Sequence, residues 1–87
     1  MNKKEFIEAY MANPLRNAKW SNYRCEYGTL FYKGYCLATS VGNDFIVVDR
    51  YTLTQVKHEH NTLRAIDTTL TLLHAKAIPR TLIDCSN

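Results

Sequence analysis

Hydrophobic periodicity predicts an α+β fold for this 87-residue chain, and three stretches carry the prediction. Residues 3–12 repeat apolar side chains at helical spacing, residues 22–49 alternate or run apolar as strands do, and residues 53–77 return to the helical period. The expected architecture is an N-terminal helix, a three-stranded antiparallel sheet and a long C-terminal helix. Length admits one core only, so residues 1–87 form a single small domain that hides about 64% of its surface on folding.

The first helix has a legible start and stop. Asn2 is an N-cap with Glu5 three residues on, where both free amides and the positive helix end favour oxygen ligands. Phe6, Ile7, Tyr10 and Met11 then line one face. Asn13-Pro14 ends the helix, because proline disfavours helical backbone in the residue before it. Residues 14–20 read as a connector closing on Trp20.

Strands follow. Tyr23, Cys25 and Tyr27 alternate with polar neighbours, the period of a half-buried strand over 22–27. Residues 29–41 are rich in aromatic and β-branched side chains, interrupted by Lys33-Gly34, and give a strand over about 30–40. That pair is either a tight turn between two short strands or a glycine bulge in one long strand, and the reading adopted is the bulge. Gly42-Asn43-Asp44 is a turn signal, and Phe45-Ile46-Val47-Val48 reads as a central strand over 45–49 buried on both faces.

The period changes at Thr52-Leu53-Thr54-Gln55, which fits the S/T-x-x-E/Q capping box, with Thr54 an alternative cap. Val56, Leu63, Ile66, Leu70, Leu73 and Ala77 fall within about 100° on a helical wheel. One long helix over 53–77 follows, ended by Pro79, although Thr68 to Leu72 is β-prone enough to begin a strand instead. Thr81-Leu82-Ile83 is a short edge strand or a docked tail.

Composition narrows function without choosing it. With 46% hydrophobic and 22% charged residues the chain is not disordered, and no apolar run reaches the roughly 20 residues of a membrane helix. A cytoplasmic protein is expected, not a membrane one. Net charge is +3, with basic residues interleaved with acids and not gathered in one basic stripe. Three cysteines, Cys25, Cys36 and Cys85, form no close pair and read as reduced thiols. His58 and His60 point about 200° apart on a helix and have no second ligand pair, so neither a metal nor a cofactor is expected. Glu59 between them gives H-E-H, which lacks the H-E-x-x-H spacing, and no nucleophile elbow is present. The chain is expected not to be an enzyme.

Lys33-Gly34-Tyr35 matches the first three positions of the RNA-recognition signature, then departs at Cys36, Leu37 and Ala38. Tyrosines on one sheet face would stack on single-stranded bases, whereas packed beneath helices they would belong to the core. Core is the expectation, and a small nucleic-acid-binding protein is the alternative function.

The segment Tyr51-Thr52-Leu53-Thr54-Gln55-Val56-Lys57-His58 resembles the Y-S-x-T-T-x-K-H stretch of a group of small uncharacterised bacteriophage proteins, through Tyr51, Thr54, Lys57 and His58, with Gln55 departing. The resemblance covers residues 30–64 at most. It implies a viral accessory protein, working in the cytoplasm of the host cell, that binds and inhibits a host or defence protein, of anti-CRISPR or other anti-defence type. The candidate partner-binding residues are Lys57, His60 and Arg64, spaced i, i+3, i+7 as one basic stripe opposite the apolar face, with Thr71 continuing it. The same stripe is equally an ordinary solvated helix surface.

Overall fold

The computed structural model describes residues 1–42, 45–75 and 81–85. Helix α1 (Lys3–Ala12) starts as the sequence predicts: the Asn2 Oδ1 accepts from the Glu5 amide at 2.8 Å, and Phe6, Ile7, Tyr10 and Met11 are buried. The chain then runs through five antiparallel strands, β1 (Ala18–Trp20), β2 (Tyr23–Glu26), β3 (Thr29–Tyr32), β4 (Tyr35–Val41) and β5 (Phe45–Asp49). Helices α2 (Tyr51–Gln55) and α3 (His60–Ala75) return it to the sheet, and β6 (Thr81–Cys85) pairs in parallel with β5. A parallel neighbour requires such a crossover, because a tight turn joins only antiparallel strands.

The three-stranded sheet is therefore corrected to six strands in sequential order. Two misread segments account for most of the difference. Lys33-Gly34 is a hairpin turn and not a bulge: Tyr32 pairs with Tyr35, and both turn residues have positive φ, 50° and 85°. Tyr27-Gly28 repeats the geometry at 51° and 86°. Positive φ at both central residues matches the right-handed twist of the flanking strands, and glycine at the second tolerates it without steric cost. A bulge does exist, but one strand over: Leu30 pairs with Ala38 and Phe31 with Cys36, leaving Leu37 as the extra residue of β4. Leu37 and Ala38 are consequently both buried, which strict alternation forbids. The second misreading is residues 14–20, where β1 is too short to show a period yet points Ala18 and Trp20 at the core.

Strand β5 is central in the sheet but buried on one face only. Ile46 and Val48 are fully buried, whereas Phe45 is exposed and Val47 half-buried. Both helical layers lie on the side to which Tyr23, Cys25, Leu30, Tyr32, Ile46 and Val48 point, so α1 and α3 pack against each other and cover that face. Val56, Ile66, Leu70 and Leu73 are buried there, whereas Leu63 of the predicted apolar stripe is half-buried. Ala77 and the Pro79 stop, like Asn43-Asp44 of the predicted turn, lie outside the described residues. Residues 68–75 are helix, not strand.

The long helix over 53–77 is corrected to two. Helix α2 ends at Gln55, the backbone turns through Val56–Glu59, and the Leu63 amide reaches the Glu59 carbonyl at 2.7 Å as α3 begins. Val56 and Leu63 keep one wheel phase across the break, which is why periodicity conceals it. Lys57, His58, Glu59, His60 and Asn61 are all exposed, so no side chain in the run packs to hold a helical turn in place. The capping box is not formed either. Thr52 is buried and its hydroxyl donates to the Cys36 carbonyl at 2.6 Å, while Thr54 donates to the Tyr51 carbonyl. It is Asp49 that accepts from the Tyr51 amide, at 3.0 Å.

Candidate binding surfaces

The predicted basic stripe is split by the break between the helices. Lys57 lies in the connecting turn, His60 is the first residue of α3, and Arg64 follows one turn later, all three exposed. His60 and Arg64 come together and Lys57 does not join them. The two line a groove of about 420 Å³ with Leu53 of α2 and with Leu63 and Asp67 of α3. Leu53 and Leu63 are half-buried, packed on the core from one side and open to the groove from the other. Thr71 continues the exposed side of α3, its hydroxyl donating to the Asp67 carbonyl at 3.0 Å. Sequence spacing alone could suggest Asp67, three residues beyond Arg64, but Leu53 enters only because the turn folds α2 back beside α3.

Why the groove exists follows from the same break. A continuous helix would carry Leu53 about ten residues, or 15 Å, along the axis from Leu63. The turn at 56–59 brings both leucines to one opening and sets charged groups around it. Tyr35 fastens the turn to the sheet by donating to Glu59 Oε2 at 3.0 Å, and that bond to a carboxylate raises the Tyr35 phenol pKa.

A second surface lies on the side of the sheet away from α1 and α3. Register places Lys19, Arg24, Phe31 and Cys36 side by side across four strands. Arg24 Nε stands 3.6 Å from Glu26 Oε2, and its guanidinium carbon lies 4.7 Å from the Phe31 ring centroid. Further along the same face Val41 and Phe45 pair and are both exposed. No periodicity singles these residues out, since the row is assembled from four strands whose register had to be known.

The tyrosines of the sheet do not belong to that open side. Tyr23 and Tyr32 face the helices with ring centroids 4.8 Å apart, and Trp20 stacks on Tyr23 at 6.0 Å. Tyr23 Oη meets Thr69 Oγ1 at 2.7 Å. Because the Thr69 hydroxyl proton already goes to the Ala65 carbonyl, Tyr23 is the donor. Burial pushes the Tyr23 phenol above its ordinary pKa of 10.0, and burial likewise raises the Cys25 thiol. Cys25 and Cys36 are free thiols, Cys25 in the core and Cys36 half-buried. Among the described residues no three His, Cys, Asp or Glu side chains gather as a metal site, and no helix is long and apolar enough to cross a membrane. Comparison with protein families, with curated proteins and with solved structures yields no match.

Proposed function

We propose that this chain is a non-enzymatic binding protein that docks on a host or defence protein and inhibits it, as the resemblance of Tyr51–His58 to small phage accessory proteins implies. The observation that carries the reading is the α2–α3 groove, with Leu53 and Leu63 as an apolar floor and His60, Arg64 and Asp67 as a charged rim. Protein interfaces share that anatomy, an apolar centre that excludes water and a polar rim that sets orientation. Arginine suits the rim because its planar fork makes two directed bonds to a partner carboxylate. Lys57 stands outside the groove and contributes long-range attraction, not contact.

The test is capture of partners from bacterial lysate by the tagged chain, followed by titration of the recovered protein against variants. Leu63→Arg is expected to abolish binding and His60→Glu with Arg64→Glu to weaken it at least about tenfold, a loss of about 1.4 kcal/mol. Lys57→Glu alone should alter affinity by less than about threefold. Circular dichroism melting establishes that each variant is folded. Full binding by folded Leu63→Arg would refute the groove as the docking site.

A further inference from the structure

The open side of the sheet holds a second concavity, distinct from the α2–α3 groove and built by different elements. Its volume is about 230 Å³, and two hairpin turns wall it: Ser21-Asn22 between β1 and β2, and Lys33-Gly34 between β3 and β4. The Lys33 amide donates to the Asn22 carbonyl at 2.9 Å, so the walls are tied to each other and the shape is set before any ligand arrives. Between them lie Arg24 and Phe31, paired across β2 and β3, with Lys19 opposite Arg24 on β1. Strands spaced about 4.8 Å apart make the Lys19–Arg24–Phe31 row about 10 Å wide.

Charge and shape agree on a ligand. Among the described residues lining the concavity three are cationic, Lys19, Arg24 and Lys33, and none is acidic. Three cations against the neighbouring Glu26 leave a local charge of +2, most of the chain's net +3, and the Lys33 ammonium, 5.7 Å from the Tyr32 ring centroid, swings off that ring to take a phosphate. Beside the charge sits a flat apolar surface: the Arg24 guanidinium over the Phe31 ring, a planar cation on an aromatic face. Phosphates need cations, and unstacked bases need a planar platform, on an aromatic ring or an arginine plane. Ser21 and Asn22 add exposed hydroxyl and amide groups at the rim for base edges. Glu26 is the competitor for Arg24, but at 3.6 Å with both side chains 45% exposed this ion pair is weak enough for a phosphate to displace. Duplex DNA fits the concavity poorly, since its major groove receives a protruding helix or ribbon.

We propose that this concavity binds single-stranded nucleic acid, with phosphates on Lys19 and Lys33 and a base stacked on the Arg24–Phe31 platform. The Lys33-Gly34-Tyr35 triplet contributes as a turn that carries a cation, not as part of an RNA-recognition strand.

Fluorescence anisotropy with a labelled twelve-residue oligo-dT tests it, at about 50 and 200 mM salt. Two phosphate contacts at about 0.7 each give a log–log salt slope near −1.4, so affinity should fall about sevenfold across that range. Lys19→Glu with Lys33→Glu should remove binding, and Phe31→Leu should weaken it about tenfold while leaving the salt slope unchanged, because only stacking is lost. His60→Glu with Arg64→Glu should leave oligonucleotide affinity at the wild-type value, which separates this site from the α2–α3 groove. Thermal melting shows that the variants are folded. The proposal is overturned if folded Lys19→Glu with Lys33→Glu binds as wild type, or if wild-type binding shows no salt dependence. It is equally overturned if a twelve-pair duplex binds as tightly, or if polyglutamate competes as well at equal charge; the latter would identify an acidic protein surface as the ligand.

Discussion

The two sides of the sheet are made by the same strands from alternate residues, and they have opposite fates. Toward the helices, Cys25, Leu30, Ile46 and Val48 are at most 1% exposed, and Tyr23 spends its one polar group on Thr69. Away from them, Phe45 is 42% and Val41 52% exposed, and Arg24 lies over Phe31 with only a weak ion pair to Glu26. The difference teaches where stability and where binding reside. Apolar area removed from water stabilises at about 25 cal/mol per Å², so the covered side holds the fold together. The open side contributes little to stability and is correspondingly free to meet a partner.

That contrast can be broken first at Leu70, a fully buried residue of α3. Leu70→Ala is expected to cost about 2–5 kcal/mol, read from urea denaturation, because it deletes buried methyl groups and leaves a cavity. A near-wild-type midpoint would mean that α3 does not cover the sheet. Tyr23 sharpens the contrast electrostatically. Burial holds its phenol pKa in the folded chain above the unfolded value near 10.0, and the Cys25 thiol shifts the same way. Both contributions are fully present below the unfolded pKa values and are lost as pH rises through the folded ones. Stability should therefore fall steeply above about pH 9–10. Tyr23→Phe should cost about 1 kcal/mol near neutral pH, through the bond lost to Thr69, and make the alkaline decline shallower. An unchanged alkaline slope would show that Tyr23 is not the group responsible. On the open side, Val41→Thr keeps a β-branched residue in an exposed position and should shift stability by less than about 0.5 kcal/mol. A loss comparable to that of Leu70→Ala would place Val41 in a core of its own.

Much of this was legible from the residues. The Asn2 cap, the four apolar residues of α1, the alternation of β2 and the inward stripe of the C-terminal half all rest on local chemistry or on a period within one element, and each is as the spacing predicts. The hairpins were legible in principle: Tyr27-Gly28 and Lys33-Gly34 are residue–glycine pairs six apart. The break at Gly28 is read as such, whereas Lys33-Gly34 is taken for a bulge because lysine is poor at positive φ, where asparagine and aspartate are the usual signal. Thr52 was misassigned for a related reason. Its spacing to Gln55 is that of a cap, but its hydroxyl proton goes to a carbonyl of β4, sixteen residues back.

Sequence by itself determined which residues are apolar, where helix and strand periods run, and therefore that helices would pack on an antiparallel sheet. Tertiary structure alone decided three things. Chain geometry at Leu30–Phe31 set the bulge that buries Leu37 and Ala38 together. The run 57–61, which buries no side chain, let α2 and α3 separate and put Leu53 beside Leu63. Strand register set Lys19, Arg24 and Phe31 in one row. Each depends on contacts between residues distant in the chain, and a period measured within one element contains no information about which element will lie beside it.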